Sequence, residues 1–245
     1  MLPWFLWNGT DSRQMGLVIS TPARMYPAER VESITIPGRP GSILRPEGEG
    51  IYDPYTLSIQ AANRRTVDPS TLLAWLRGSG ELVLSTEPDR VYSARILNGG
   101  QLGCLFSGVY QGDVQFLCQP LRGQYPPEPA VSVTASSTVT SLVLYNPGDV
   151  PARCHYTAAG TDDVILSLDG VDAFEIVFPA SPGGTVLVDT DAGQALLDGT
   201  PAENYANHVS GSYRGMWIPP GSHTITWGGT GALATLTVQP RWRWI

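Results

Sequence analysis

The run Tyr125-Pro126-Pro127-Glu128-Pro129 is the clearest break in the sequence. Each proline fixes its own φ angle and biases the residue before it toward an extended conformation. The run therefore predicts a short, semi-rigid, proline-rich connector over residues 125–129. We expect an N-terminal domain over residues 1–124 and a C-terminal domain over residues 130–245.

The charge of the chain differs on the two sides of this connector. Residues 1–128 carry 11 arginines and 12 acidic residues, whereas residues 129–245 carry 4 arginines and 10 acidic residues. The whole chain has a net charge of −7 and contains no lysine. Such an acidic chain lacks the basic surface that holds a phosphate backbone, so we expect no sequence-specific nucleic-acid binding.

The N-terminal half is predicted to consist of strands with one helix. Residues 30–36 and 55–61 alternate polar and apolar side chains, which is the period of a half-buried strand. Three further strands are predicted over residues 82–85, 91–97 and 114–119. Strands with a single helix packed on them indicate an α+β pattern rather than a helical bundle.

The one predicted helix begins after Asp68. The carboxylate of Asp68 can accept hydrogen bonds from the first turn, and Pro69 suits the first helical position. Gly78 and Gly80 supply the stop signal. Four apolar residues form a stripe along the helix, namely Leu72, Leu73, Trp75 and Leu76.

The C-terminal half is predicted to consist of strands throughout. Short β-branched or aromatic segments recur at a spacing of roughly ten residues, with glycine and proline turns between them, as in a β-sandwich. The predicted strands cover residues 131–134, 139–145, 153–156, 164–168, 173–178, 185–189, 223–227 and 233–238. With 27 glycines and 21 prolines in the chain, the fold class is expected to be mainly β.

Motifs of catalytic, metal and cofactor sites are missing from the sequence. HExxH, Walker and GxSxG patterns do not occur, and the three histidines lack metal-ligand spacing. Asp189-Thr190-Asp191-Ala192-Gly193 matches a calcium loop only in part, because Thr200 stands where a glutamate is needed. We therefore predict no enzyme activity, no catalytic residue, no metal and no cofactor. A glycosidase with two facing carboxylates remains an alternative.

Aromatic residues are the remaining functional candidates of the second half. Rings inside a sandwich are usually core residues, because each buries a large apolar area. The alternative is that they stack against sugars, which would make the chain a carbohydrate-binding module of a surface or adhesion protein. The aromatic residues in question are Tyr205, Tyr213, Trp217, Trp227, Trp242 and Trp244.

The chain closes with alternating arginine and tryptophan residues. Arg241 and Arg243 fall on one face of a strand, whereas Trp242 and Trp244 fall on the other. We interpret these four residues either as a last strand that closes a sheet or as a docking edge for another subunit.

The sequence also gives no sign of a membrane-spanning segment. Residues 129–148 carry no charge, but serine and threonine interrupt them throughout. A spanning helix needs about twenty predominantly apolar residues, so we expect no membrane insertion. The three cysteines form no CxxC motif, which favours a reducing compartment at synthesis.

Short motifs are spread over nearly the full chain. The first half contains Trp7-Asn8-Gly9, Ile36-Pro37-Gly38-Arg39, Leu72-Leu73-Ala74-Trp75-Leu76 and Gly80-Glu81-Leu82. The second half contains Tyr145-Asn146-Pro147-Gly148-Asp149, Leu168-Asp169-Gly170, Ile218-Pro219-Pro220-Gly221 and Pro240-Arg241-Trp242-Arg243-Trp244. In order and spacing, this set resembles the distal tail protein (Dit) family of siphovirus-type bacteriophages.

The resemblance implies a β-sandwich-like N-terminal domain with one helix and a galectin-like C-terminal β-sandwich. It implies a structural protein of the virion tail tip that is synthesised and assembled in the host cytoplasm. The N-terminal domains would form a homohexameric ring that joins the tail tube protein to the tail-associated tip or baseplate hub protein and lets DNA pass. A receptor-binding protein is a further implied partner.

A closed ring needs head-to-tail contacts between different surfaces of one subunit. Arg39, Arg45, Arg64 and Arg65 cluster in the N-terminal half, where several acidic residues also lie. We expect some of these arginines to form ion pairs across the subunit interface. The alternative is that they are solvated surface charges.

Overall fold

The structure is a computed structural model that describes residues 2–46, 51–63, 67–97, 101–106, 109–179, 183–198 and 203–245. For residues 101–106 and 109 it describes the backbone alone. Contacts within the chain divide it into two compact units, one ending at Pro126 and the other running from Pro127 to Trp244. Each unit has its own hydrophobic core.

The N-terminal unit is built on one antiparallel sheet. Its elements are β1 (Phe5–Trp7), β2 (Thr10–Asp11), β3 (Leu17–Ile19), β4 (Val31–Thr35), β5 (Ser42–Pro46), β6 (Tyr55–Asn63), α1 (Pro69–Trp75), β7 (Ser79–Leu84), β8 (Glu87–Ile96), β9 (Gln101–Phe106) and β10 (Val109–Gln124). The strand order is β2-β1-β7-β8-β10-β6-β3, and β9 pairs with β10. Strands β4 and β5 form a separate two-stranded hairpin.

Aromatic side chains hold the core of this unit together. The ring of Phe116 lies 5.5 Å from that of Phe5 and 5.4 Å from that of Trp7. Trp75 stacks on Phe5 at 5.7 Å, and its Nε1 donates to the backbone oxygen of Trp7 at 3.4 Å. The single helix is thereby joined to the sheet by its last residue.

The predicted helix is confirmed in place and in capping. The Asp68 carboxylate accepts hydrogen bonds from the backbone N–H groups of Ser70 and Thr71, and Pro69 is the first helical residue. Leu72 and Leu76 of the predicted stripe are fully buried. The helix ends at Trp75, before Gly78, which adopts a φ of 77°.

Two of the sequence motifs in this unit fit against each other. Asn8 and Gly9 have φ angles of 49° and 77°, as the two-residue turn between β1 and β2 requires. The Asn8 Oδ1 atom accepts a hydrogen bond from the N–H of Glu81 at 3.0 Å. A Cβ atom on Gly80 would lie only 1.8 Å from that same oxygen, so a larger residue here would displace the Asn8 side chain from this hydrogen bond.

One expectation for this unit is wrong. The alternation over residues 30–36 predicts a half-buried strand, yet every residue of β4 and of its partner β5 is exposed. An alternating pattern distinguishes the two faces of a strand, but it does not supply a layer that covers one of them.

The C-terminal unit consists of two antiparallel sheets. Its elements are β11 (Val131–Thr134), β12 (Ser141–Asn146), β13 (His155–Thr161), β14 (Asp163–Leu168), β15 (Val171–Val177), β16 (Gly184–Asp189), β17 (Gln194–Leu197), β18 (Glu203–Asn204), β19 (Val209–Gly211), β20 (Gly221–Gly229), β21 (Ala232–Gln239) and β22 (Arg243–Trp244), with 3-10 turns at Ala206–His208 and Tyr213–Met216. The sheet orders are β11-β21-β13-β16-β17-β18 and β12-β20-β14-β15-β19.

Side chains from both sheets share one core, as in a β-sandwich. Val186, Val188 and Leu236 come from the first sheet, and Leu166 and Ile225 come from the second; all five are fully buried. All eight strands predicted for this half are present. The predicted fold class is confirmed, because the described chain is mainly β and sandwich-like with one α-helix.

A buried amide joins two motifs of the C-terminal unit. Asn146 is 1% exposed, and its Nδ2 donates to the backbone oxygens of Val150 at 3.1 Å and Ile218 at 2.8 Å. Its Oδ1 accepts a hydrogen bond from the N–H of Gly148 at 2.8 Å. The Asn-Pro-Gly turn is thereby tied to the segment that precedes β20.

Candidate functional site: two assembly surfaces

The first candidate surface is the β4–β5 hairpin, residues 31–46, which we call the arm. Its side chains are exposed on both faces, although many are apolar. Large apolar side chains in water are costly unless another molecule covers them. Those on the arm are Val31, Ile34, Ile36, Ile43 and Leu44.

The base of the arm is held by one ion pair and by backbone hydrogen bonds. The Nε of Arg30 donates to the Oδ1 of Asp53 at 2.7 Å, and the N–H of Arg30 donates to the oxygen of Ile51 at 2.9 Å. The N–H of Asp53 donates to the oxygen of Ala28 at 2.9 Å. These bonds join the two ends of the segment that contains the arm.

The segment before the arm contacts a buried ion pair. Glu87 is 7% exposed, and its Oε1 accepts a hydrogen bond from Arg122 Nη1 at 2.7 Å. The hydroxyl of Tyr92 donates to the other carboxylate oxygen. The Nε of Arg24 lies 2.9 Å from Oε1, so a largely exposed arginine fastens this segment to the unit's interior.

Two of the four arginines predicted at a subunit interface lie on the arm. Arg39 is in its turn, where its N–H donates to the oxygen of Ile36 at 3.1 Å. Arg45 lies directly opposite Glu32 in the β4–β5 register. Both arginines are exposed. Arg64 and Arg65 lie outside the described residues.

The second candidate surface is centred on Asp191 in the C-terminal unit. The Asp191 carboxylate accepts hydrogen bonds from Arg153 Nη1 at 2.8 Å and from Arg243 Nη2 at 2.6 Å. The Nη1 of Arg241 lies 4.0 Å away. Burial acts to raise the pKa of Asp191, but the hydrogen bonds from Arg153 and Arg243 hold it below its ordinary value.

A tryptophan ring extends this group of arginines. The Arg153 guanidinium lies 4.3 Å from the centre of the Trp217 ring, and that of Arg214 lies 5.4 Å from it. The Trp217 Nε1 donates to the oxygen of Thr190 at 3.2 Å. We call the four arginines around Asp191 and Trp217 the arginine end, namely Arg153, Arg214, Arg241 and Arg243.

The positive charge at this end acts on a neighbouring histidine. His155 Nε2 lies 3.0 Å from Asp189 Oδ2, without the geometry of a hydrogen bond. Burial lowers the pKa of His155, and the charge of Arg241 lowers it further. The carboxylates of Asp189 and Asp191 act in the opposite direction, but the pKa of His155 stays below its ordinary value.

The alternation at the end of the chain is reproduced by the contacts. Trp242 is buried and Trp244 packs against the core of the unit, whereas Arg241 and Arg243 point toward Asp191. Of the other candidate aromatic residues, Tyr205 belongs to this core, and Tyr213 and Trp227 pack against it. Trp217 packs under Arg153 and Arg214. Trp242 and Tyr205 are buried, as core residues are, whereas Tyr213, Trp217, Trp227 and Trp244 are half-buried.

The carboxylates that were considered for metal binding already have partners within the chain. Asp189 Oδ1 accepts the N–H groups of Asp191 at 2.9 Å and Ala192 at 3.0 Å, and Asp191 is bound by arginines. Within the described ranges, no group of three or more His, Cys, Asp or Glu side chains is placed to hold a metal ion. Among the same residues, no helix has the length and apolar character needed to cross a membrane.

Two buried thiols are unsuited to nucleophilic chemistry. Burial raises the pKa of Cys118 to about 12 and that of Cys154 to about 11. A thiol attacks as the thiolate, which these side chains do not form at neutral pH.

Sequence reasoning missed both the exposure of the arm and the gathering of the four arginines. The gathering of the four arginines has one signal in the sequence, which is that the acidic C-terminal half contains so few arginines. Arg153, Arg214 and Arg241 are too far apart in the chain for any local pattern to link them.

Comparison with known proteins gives matches at the level of structure alone. No family model matches the sequence, and no curated protein matches it either. Among solved structures, the Dit protein of phage SPP1, described as a paradigm of the hub adsorption apparatus in Gram-positive infecting phages, is similar over 100% of both chains, with a TM-score of 0.70 and 15% identity.

A second similar structure comes from the phage P2 baseplate in its activated conformation with Ca. The likeness covers 97% of this chain and 98% of that one, with a TM-score of 0.51 and 10% identity. At such identities the likeness establishes the fold. We conclude that the chain has the Dit-type fold over its whole length, as the order of its motifs predicted.

Proposed function

We propose that this chain is a non-enzymatic structural protein of a long-tailed phage, located in the tail tip of the virion and made in the host cytoplasm. The observation that carries the proposal is the likeness to the SPP1 Dit protein over both complete chains. In this proposal, six copies form a ring through the N-terminal domain, residues 1–124. The ring joins the tail tube protein to the tail-tip proteins and lets DNA pass.

The arm is the proposed contact between neighbouring copies in the ring. A two-stranded hairpin is marginally stable in water unless further strands or another layer pack against it. Packing the arm on a different surface of the next copy would bury its apolar side chains and give the head-to-tail contact that a ring requires. Arg39 and Arg45 would then form ion pairs with acidic residues of that copy, and Arg64 and Arg65 remain candidates for the same role.

Size-exclusion chromatography with light scattering on the full chain tests this proposal. The wild type is expected to elute with six times the mass of one chain. Leu44→Ser in the arm should weaken assembly by about tenfold, because the contact loses one large apolar side chain.

Val143→Ser is the matched control, since Leu44 and Val143 are both 64% exposed and Val143 lies in β12 of the other unit. This control should assemble like the wild type. A wild-type chain that stays monomeric at every concentration contradicts the proposed ring. If the Leu44→Ser variant assembles like the wild type, the arm is not part of the contact between copies.

A further inference from the structure

Strand β12 lies at one edge of the second sheet of the C-terminal unit. It pairs with β20 over its whole length, from Ser141 to Asn146, without a shift of register. In the described part of the chain, no strand pairs with its other side. An edge strand of this kind leaves a row of backbone groups available to another molecule.

Two hydrogen bonds of β20 show which backbone groups of β12 are available. The N–H of Trp227 donates to the oxygen of Thr140, just before β12, at 3.4 Å. On the other side of β20, the N–H of Asp169 donates to the oxygen of Thr224 at 2.8 Å. Because backbone groups alternate between the two sides of an antiparallel strand, the even-numbered residues of β12 bond to β20. The residues whose N–H and C=O groups point away from β20 form what we call the open edge, namely Ser141, Val143 and Tyr145.

The open edge is apolar and uncharged. Val143 and Tyr145 are both 64% exposed. Residues 129–148 carry no charge, although residues 129–245 contain 4 arginines and 10 acidic residues. Natural sheet edges keep other chains away with charged side chains, prolines, bulges or short length. Strand β12 contains no charge, no proline and no bulge.

The other edge strands of the two sheets are shorter or more polar. Strand β18 has two residues and begins with Glu203, and β19 has three residues and ends at Gly211. Strand β11 has four residues, and the hydroxyl of its Ser132 already bonds to that of Thr237 at 2.8 Å. With six residues, β12 is the longest of these four described edges. It is therefore the edge at which pairing with another chain is least hindered.

The backbone groups and side chains of β12 define what can bind there. Only an extended segment presents N–H and C=O groups at the spacing of the open edge. Side chains on one face of such a segment would lie beside Val143 and Tyr145. Those on the other face would lie beside Leu142, which is half-buried and packs against the core. Apolar side chains on the segment would cover these residues.

Charge and symmetry disfavour a second copy of this chain as the occupant. With 4 arginines and 10 acidic residues, residues 129–245 have a net charge of −6, so two C-terminal units repel each other. Two β12 strands that pair about a two-fold axis also do not form the head-to-tail contact of a ring. A segment of a different protein meets neither obstacle.

We propose that the open edge binds an extended segment of another protein, uncharged over the paired residues and apolar at alternate positions, which joins the second sheet as a further strand. The backbone hydrogen bonds would give affinity, and the alternate side chains would give selectivity. The open edge itself is independent of the proposed ring, whereas the preference for another protein over a second copy rests in part on that ring.

A peptide titration of the full chain, read out by residue-specific hydrogen exchange, tests the proposal. The probe is the peptide KKTVTVTVKK with N-methyl groups on its threonines, which leaves one hydrogen-bonding edge and prevents the peptide from pairing with itself. The control peptide carries N-methyl groups on its valines as well, so it has the same charge but no free edge. The probe should slow exchange of the N–H groups of Ser141, Val143 and Tyr145, and the control peptide should leave them unchanged.

Val143→Pro removes one N–H group from the open edge. Proline is tolerated at an edge position whose N–H faces solvent, so the variant should stay folded, which thermal unfolding checks. Its affinity for the probe should fall by about tenfold, because one hydrogen bond is lost and the proline ring occupies the place of the donor. Ser137→Pro is the matched control, since it introduces the same residue into an exposed turn before β12, and it should bind the probe like the wild type.

Protection by the probe alone, weakened in Val143→Pro and kept in Ser137→Pro, supports the proposal. A wild-type chain that binds no probe at about 1 mM, or that binds both peptides equally, overturns it. If Val143→Pro unfolds, the difference between the two peptides decides. Protection of the same N–H groups that grows with protein concentration in the absence of peptide makes a second copy the occupant, and the proposed partner is then wrong. The ring is tested separately, because Val143→Pro should keep the wild-type mass in light scattering.

Discussion

The two units satisfy their buried polar groups in different ways. The N-terminal unit buries a full charge pair, Glu87 with Arg122, whereas the C-terminal unit buries the neutral amide of Asn146 and keeps the ion pairs of Asp191 at its surface. A buried charge that loses its partner is strongly unfavourable, but an exposed pair is screened by water. The same chemical change should therefore cost far more in the N-terminal unit than in the C-terminal one.

The largest effect is expected for Glu87→Gln. Arg122 would remain buried without a carboxylate, which should lower the free energy of unfolding of the N-terminal unit by about 3–5 kcal/mol. Asp191→Asn makes the same chemical change at the surface and should cost at most about 1 kcal/mol. Denaturant unfolding, with hydrogen exchange to assign each transition to a unit, measures both. Equal costs would refute the comparison.

A smaller loss is expected for Asn146→Ala in the C-terminal unit. The backbone oxygens of Val150 and Ile218 would lose their donor, at a cost of about 2–3 kcal/mol in the free energy of unfolding. Hydrogen exchange should show reduced protection over residues 145–152. Asn207→Ala, at an exposed asparagine, is the control and should change stability by less than about 0.5 kcal/mol. The interpretation of Asn146 would fail if both variants behaved alike.

A pair of glycine substitutions sharpens the comparison further. A Cβ atom on Gly148 would meet the backbone oxygen of Arg243 at 2.3 Å, whereas on Gly80 it would meet the side chain of Asn8. Each substitution should lower the free energy of unfolding by about 1–3 kcal/mol. Because a side chain can move aside more easily than backbone, the loss should lie near the upper limit for Gly148→Ala and near the lower limit for Gly80→Ala. Thermal unfolding of the two variants should rank them in that order, and the reverse order would contradict the close approach at Gly148.

The smallest effect is expected from pH. His223 Nδ1 lies 2.6 Å from Asp169 Oδ2, and this hydrogen bond raises the pKa of His223 above 6.5 and lowers that of Asp169 below 3.8. The raised histidine contributes stability that is complete below pH 6.5 and is lost as pH rises through its folded pKa. The lowered aspartate contributes stability that is present above pH 3.8 and is lost as pH falls through its folded pKa. The net gain should stay below about 1 kcal/mol, because the pair is exposed to solvent.

Proton NMR titration of the histidines checks this pH dependence. Asp169→Asn should return the pKa of His223 toward 6.5 and leave His155 unchanged, since burial and Arg241 set the pKa of His155. A His223 pKa that does not move in this variant would show that Asp169 is not its partner.

Local signals in the sequence account for much of the fold. Asp68 and Pro69 located the helix because capping depends on neighbours within one turn. The eight strands of the C-terminal half were predictable because β-branched runs between glycine and proline turns are local patterns. Strands β17, β18 and β19 were missed because they have only two to four residues each, and β19 is defined by pairing with a distant strand, as Gly211 pairs with Phe174.

The candidate surfaces were less accessible to sequence reasoning. Arg39 and Arg45 were named in advance, but the exposure of the whole arm was not, because periodicity does not say whether another layer covers a strand. The terminal arginines were placed correctly opposite the terminal tryptophans. Their partner Asp191 was considered only as part of a calcium loop.

By itself, the sequence determined the mainly β class, the capped helix, the turns and the order of motifs that resembles the Dit family, because each depends on residues close together in the chain. Only the tertiary structure decided which charges meet. Arg153, Arg241 and Arg243 surround the Asp191 carboxylate because strands distant in sequence end at the same place. Only the tertiary structure decided, likewise, that the arm lies outside the core, because burial depends on what packs against a strand and not on its own pattern.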